Sequence, residues 1–354
     1  MKKLILLVCA VLIIQVAFSQ LNVVDFLKAG KDDASKLSQA YLEPYAFALG
    51  DGLNNGWYNS AETHQIFGFD LTLSLSAIQI PKKSGTFDIN TLGLTHVTLD
   101  NPGNHIAQTI SGQNISGPRL LVKDNQGNSL VAFNTPNGLG LDVVPVPMVQ
   151  VGFGLLPHTD VIGRYVPEMK YDNNGDQMKL GFWGIGVKHN FMEWLPVLKA
   201  LPFDASVFGS YSEVNAQSAL SFTAADYGAD PNISVTFVPA DNQFLKVKTK
   251  TTKFGLVVSK KLGILTVFGG IGQSTSESAI DLIGKFPVIA KASGPGYEIT
   301  DQGALIDPIA LQFKSKNISM DAGFRLKIAV LSLFGSVNKA EYSSFNIGVS
   351  LGAR

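Results

Sequence analysis

From Phe67 onward the chain is organised by alternation. In "FGFDLTLSLSA" (67–77), Phe67, Phe69, Leu71, Leu73, Leu75 and Ala77 alternate with Gly68, Asp70, Thr72, Ser74 and Ser76. A strand sends successive side chains to opposite faces, so this stretch carries one apolar face and one small polar face. The same period recurs in 148–156, 181–191, 203–211 and 345–353. Two longer stretches read as hairpins: 253–273, folded around Lys260-Lys261-Leu262-Gly263, and 318–337, folded near Ala329. Segments 121–133 and 171–180 read as hairpin tips, while 81–118, 212–243 and 274–307 read as long polar connections. Proline interrupts the pattern at "VPVP" (144–147), and the proline-bounded "MEWLPVLKALP" (192–202) reads as a short interfacial helix or re-entrant turn.

Residues before this region have a different period. Val23, Val24, Phe26 and Leu27 form one helical segment and Ser35 to Leu42 another, before Pro44, with Gly50 and Gly52 expected to stop any continuation. At the extreme N-terminus, Met1-Lys2-Lys3, an apolar run from Leu4 to Ile14 and Ala17-Phe18-Ser19 read as a cleaved export signal. The run is too short to cross a bilayer as a helix. The expected organisation is therefore a signal peptide (1–19), an N-terminal hatch (20–62) and a β-barrel (63–354).

Composition sharpens this picture. The single cysteine, Cys9, lies inside the apolar run and lacks a small residue before it, which argues against lipidation. The chain after the signal then has no cysteine and must be held by a large core or a closed barrel. Charged residues make up 16% of the chain, against about 25% in ordinary soluble domains, while 35 glycines and 22 phenylalanines are present. Formal charge balances to zero. No basic stripe suggests a nucleic-acid partner.

A soluble sandwich alternates too, so strand length decides. Eleven residues at about 3.3 Å, tilted near 45°, climb about 25 Å, the height of a membrane barrel's apolar band. Very short connections alternate with very long ones, as in such barrels. Asp70, Lys188, Asp321, Arg325 and Lys327 fall on the polar face, where a wet lumen would suit them. The expected fold is an all-β transmembrane antiparallel barrel of about fourteen strands, with twelve also acceptable, and membrane lipid as its partner. A secreted soluble β-protein is the remaining alternative.

Candidate chemistry is sparse. His64, His96, His105, His158 and His189 are scattered without metal-ligand spacing, and no nucleophile elbow or P-loop is present. "DNNGDQ" (172–177) lacks the glycine and glutamate of a calcium loop, and "GDGLNNG" (50–56) reads as turns. No enzyme activity, metal or cofactor is expected. Trp183 and Trp194 read as headgroup-level anchors; Trp57 and Tyr58 read equally as anchors or as contacts to an apolar ligand inside the lumen, and Phe47 is a further candidate for such a contact.

The stretch "NGWYNSAETHQIFGFDLTLSLS" (55–76), following an exported preface, resembles the FadL-like channels for long-chain fatty acids and hydrocarbons. That resemblance implies a fourteen-stranded barrel plugged by an N-terminal hatch. Asn59-Ser60-Ala61 stands where the family has an Asn-Pro-Ala hatch turn, with Ser60 in place of proline. "LLPHTDVIGRYVPEM" (155–169) is a second family-like stretch with no assigned role. The chain also looks like other Gram-negative outer-membrane barrels of similar length, although it finishes on Ala353-Arg354 rather than on an aromatic residue. The expected function is passive outer-membrane uptake of small hydrophobic or amphipathic cargo, with the barrel inserted by assembly machinery. The alternative is a non-transporting surface barrel whose loops 81–118 or 274–307 bind a partner.

Overall fold

The computed structural model describes residues 23–123, 127, 129–173, 176–194, 201–220, 233–235, 243–287, 290–293, 296–299 and 304–353. The expected signal peptide lies outside the described residues. Ten strands form a closed antiparallel barrel: β1 (Phe69–Gln79), β2 (Val143–Leu156), β3 (Thr159–Asn173), β4 (Asp176–Asn190), β5 (Asp204–Ala219), β6 (Phe244–Leu262), β7 (Leu265–Ile283), β8 (Ile309–Ile328), β9 (Leu331–Lys339) and β10 (Ser343–Ala353). Each pairs with its chain neighbours, and β10 closes on β1 from Phe69–Ala353 to Gln79–Ser343.

Ten strands correct the expected fourteen or twelve. Strands β6 to β8 run 19 or 20 residues each, so fewer strands use up the chain. In addition, the whole stretch from 80 to 142 is one connection carrying its own short strands, such as Arg119–Lys123 beside Ser129–Asn134. Parts of the expected polar connections are wall as well, because β5 reaches Ala219 and β7 reaches Ile283.

Strand pairs lead from Val151 through Gly163, Ile185, Tyr211, Thr252 and Thr275 to Lys316. In the other direction they lead through Leu71, Leu351 and Leu331 to Ile328. The circuit thus closes twelve residues out of step on β8. This stagger is what tilts barrel strands by about 40°.

Outward positions near the tight-turn end are apolar and exposed on every side, including Leu71, Val151, Ile185, Val207, Leu256, Ile271, Phe324, Leu333 and Ile347. About ten residues up from that end, polar and charged side chains replace them. Glu213, Lys250, Glu277 and Lys314 lie in one cross-strand row, with ion pairs Lys248–Glu213 (2.9 Å) and Lys314–Glu277 (3.3 Å). The barrel therefore wears an apolar belt at its turn end and stands as a polar collar above it. Trp183 and Trp194 are exposed, and Trp183 packs against Tyr211 at 5.3 Å.

The lumen is filled by the N-terminal segment. Helix α1 (Lys31–Asn54) starts under the long 80–142 connection and descends inside the wall, where its neighbours include β1, β2 and β5 to β8. It runs without interruption through Pro44, Gly50 and Gly52, correcting the expected break. The glycines serve close packing instead. A Cβ on Gly52 would lie 2.5 Å from Val146, and one on Gly50 would collide with Ser276. A ten-stranded barrel is barely wider than the eight-stranded kind that side chains alone fill. A helix about 10–12 Å across can enter only where one partner is small. No described helix is long and apolar enough to cross a membrane.

Candidate functional site

The lumen has two layers, set by which residues fall on inward positions. Towards the loop end they are apolar: Ile78, Val144, Val146, Leu180, Val214, Val247, Ile280 and Leu311 surround Leu37, Tyr41, Leu49 and Leu53 of α1. Towards the turn end they are polar and buried: Asp70, Asp160, Arg164, Lys188, Lys253, Asp321 and Arg325. Between α1 and β1 the chain passes through this lower layer as an extended strap, residues 55–66.

The strap is tied to the wall at nearly every residue. Arg164 of β3 donates to the carbonyls of Leu53 (2.9 Å) and Asn55 (2.8 Å) and to Gln150 (3.1 Å), while its guanidinium lies 3.7 Å over the Trp57 ring. It thereby satisfies carbonyls at the helix C-terminus that would otherwise be orphaned. Tyr58 donates to Asp321 (2.6 Å), which also accepts from Lys253 (2.9 Å) and Asn338 (2.6 Å). Lys188 donates to the carbonyls of Ser60 (3.2 Å) and Glu62 (2.7 Å), and the Ala61 N–H donates to Ser259 (3.0 Å). Arg325 holds Glu62 at 2.8 Å and donates to Asn59 at 3.4 Å. His64 donates its backbone N–H to Asp160 (2.8 Å), and its ring lies between Asp160 (3.1 Å) and Asp70 (3.6 Å).

The structure brings the expected site residues Trp57, Tyr58, Asn59, Ser60 and Ala61 into this strap, where each meets the wall. Trp57 is buried beneath Arg164, and Tyr58 stacks edge-on against Phe208 (5.1 Å). Phe47 is separate from them, packing edge-on to Phe313 in the upper layer (6.5 Å). Sequence reasoning placed Asp70, Lys188, Asp321, Arg325 and Lys327 inside; the first four are buried and Lys327, at the turn end, only partly so, while Asp160, Arg164 and Lys253 were missed. Two of these lie within the unassigned stretch 155–169. Their signal was parity, since Asp160, Ile162 and Arg164 share one face of an alternating segment. Among the described residues no His, Cys, Asp or Glu cluster is spaced to hold a metal ion.

One titration is built into α1. Asp51 of α1 accepts the Tyr342 N–H (2.7 Å) at the outer β9–β10 turn, above the belt. Burial, aided by Glu341, pushes its carboxyl up to about 7 from an ordinary 3.8. Between about pH 4 and 7 the folded chain keeps a proton that the unfolded chain releases, so stability falls as pH rises through that window and is level above it. Asp51→Asn is expected to remove this loss. It should be more stable than the parent at pH 8, by a few kcal/mol, and indistinguishable at pH 4, measured as denaturant midpoints across pH.

The wall itself has a seam. Pairing between β2 and β3 runs only from Gln150–Arg164 to Leu156–Thr159. Above it, residues 143–149 remain paired to β1 and residues 165–173 to β4, but no ladder joins the two edges. Pro145 and Pro147 sit in that stretch, opposite Ala77 and Leu75. A paired strand tolerates proline where the missing N–H points away from its partner, which places both nitrogens on the seam side. On the facing edge Pro167 falls in a register shift between Val166 and Met169. Counted from the turn end at Leu156 and Thr159, the seam starts near the top of the apolar belt and runs up beside the polar collar.

Apolar space flanks the seam on the inside, between α1 and strands β4 to β6 and beside β2. A cavity of about 40 Å³ between α1 and the wall is lined by Tyr45, Leu49, Leu180, Val214, Ala216 and Val247. On its other side Tyr45 borders a second apolar gap with Ile80, Ile110 and Val144. Tyr45 therefore spans from β2 to β4, across the width of the seam.

Comparison with curated proteins gives no match. Among solved structures, the chain is similar to the outer-membrane protease OmpT from Escherichia coli, with 11% identity over 83% of this chain and 100% of that one and a TM-score of 0.33. It is also similar to Ail, the attachment invasion locus protein of Yersinia pestis (7% identity, 82% and 100% covered, TM-score 0.28). A third is the TodX monoaromatic hydrocarbon channel (9% identity, 82% and 68% covered, TM-score 0.22). At these identities and TM-scores the likeness carries no argument. Residues 1–353 match DUF6588, a family of unknown function, and the chain belongs to that family.

Proposed function

We propose that this protein is an outer-membrane barrel, closed at rest, that admits small apolar molecules sideways from the outer leaflet. The apolar belt is the part facing lipid: below the seam each strand is laddered to both neighbours, so no backbone edge is left to hydrocarbon there. The long connections then face outward, as in other barrels of this kind. The observation that carries the reading is the seam between β2 and β3, backed by apolar space beside Tyr45 and Leu49. An apolar solute dissolved among lipid tails meets the seam at its lower end, at the top of the belt. Further passage requires the strap 55–66 to yield, since its hydrogen bonds and ion pairs close the lower lumen. The FadL-like resemblance of residues 55–76 points to the same class of cargo.

The tied strap also favours the second reading, a surface barrel that transports nothing and works through its outer loops. The two separate in proteoliposomes. Entry of an apolar fluorescent probe such as N-phenyl-1-naphthylamine into vesicles whose outer leaflet is lipopolysaccharide, which by itself holds such probes back, is expected to be protein-dependent and to fall severalfold in Leu49→Trp, whose indole fills the cavity. Probe entry equal to that of empty vesicles would end the transport reading and leave the surface barrel.

A further inference from the structure

The outer cap carries a pair of cups that the channel reading does not use. The first, about 710 Å³, is lined by Asp25, Asn114, Ser116, Asn134, Thr135 and Asn137 around a floor of Pro136, Leu139 and Leu141. The second, about 430 Å³, is lined by Gln108, Ser111, Gln113, Gly140, Lys82 and Asp142 among others; it shares no described lining residue with the first, but Gln113 and Gly140 are chain neighbours of Asn114, Leu139 and Leu141. Both volumes fall in the range of small-molecule sites.

The cups are rigid. Gly138 N–H donates to Gln113 (2.9 Å), Leu139 N–H to Ile110 (2.9 Å), Gly140 N–H to Gly112 (2.7 Å) and Thr135 N–H to Pro118 (2.9 Å). The ridge between them requires glycine, since a Cβ on Gly138 would collide with the Gly112 backbone. Tyr41 of α1 donates to the Asn137 carbonyl (3.0 Å), anchoring the ridge to the plug, and the Asn137 amide donates to Asn114 (3.0 Å), orienting both side chains. Thr135 is 1% exposed, and its hydroxyl has no hydrogen-bond partner among the described residues.

The lining chemistry selects a ligand class. Among the described residues Asp25 is the sole charged one lining the larger cup, and it is paired with Lys28 at 2.8 Å. The smaller cup's described lining holds one lysine, Lys82, and one aspartate, Asp142. An anion would therefore meet no net positive charge. Amides and hydroxyls that both donate and accept match vicinal hydroxyl groups, and the Pro136–Leu139–Leu141 floor suits the C–H face of a ring. We infer that the paired cups are a binding site for a neutral oligosaccharide lying across the glycine ridge on the cell's outer side. The inference is independent of the seam and of transport.

The test is calorimetric titration of the purified full chain in a detergent without a sugar headgroup. Probes are a malto-oligosaccharide, a β-glucan oligosaccharide and a mannan oligosaccharide, each beside its sulfated counterpart. At least one neutral probe is expected to bind, its sulfated form more weakly. Asn114→Leu with Asn137→Leu should weaken that binding at least about tenfold, the equivalent of 1.4 kcal/mol, while heat-modifiable gel mobility stays that of a folded barrel. Absence of binding by all three neutral probes at millimolar concentration would overturn the inference. So would tighter binding of the sulfated forms, or unchanged affinity in the folded double variant.

Discussion

A chain lacking residues 23–62 is expected to conduct ions at least about tenfold better in planar bilayers than the intact protein, which should be nearly silent. The segment supplies α1 and most of the strap, and these fill the barrel from the loop end to the turn end. Once they are gone, the inner wall that remains is rich in small hydroxyl residues, among them Ser74, Ser76, Ser210, Ser212, Ser276 and Ser319. Arg164, Lys188, Lys253, Asp321 and Arg325 lose their strap partners and are solvated by lumen water, which makes the bore hospitable to ions. Heat-modifiable mobility distinguishes an open barrel from a misfolded chain. Equal conductance with and without the segment, in folded protein, would mean that the strap does not close the lumen.

Arg164→Ala should have the largest effect of any single substitution in the strap's seat, at about 4 kcal/mol. It orphans the Leu53 and Asn55 carbonyls in a buried layer and removes the cation stacked on Trp57. The plug should loosen before the wall does, because wall strands keep their ladders. The expected signature is flickering conductance and new protease cleavage within 55–64, with the barrel still running as folded on gels. Arg164→Lys should fall between, since an ammonium lacks the planar fork that reaches two carbonyls and a ring face together. Protease resistance equal to that of the parent would show that the strap is held mainly by Asp321, Lys188 and Arg325.

The two ends of the strap show how far sequence reasoning reached. The alternation at 67–77 gave β1, its outward face and its inward Asp70, because a period of two is a local property of an extended chain. The same parity places Asp321 and Arg325 inside. Yet nothing local says that Asp321 receives Tyr58 from 263 residues away, or that Arg325 receives Glu62 from the same distance. Such partnerships depend on which part of the preface lies at which height in the lumen. That height is fixed by the stagger of the wall and by the glycines that let α1 approach it.

α1 makes the same point from the other side. Pro44, Gly50 and Gly52 read locally as helix breakers, since each weakens an isolated helix. Inside a narrow barrel the balance reverses, because burial on all sides stabilises the helix and a side chain at Gly50 or Gly52 would be excluded.

The sequence by itself determined that this chain forms long strands with one apolar face, preceded by a helical, partly apolar segment, for these follow from periodicity along neighbouring residues. Only the tertiary structure decided the number of strands, the seam at Pro145 and Pro147, and the ties between strap and wall. Each depends on how distant segments share the same space, and a linear pattern carries no record of that.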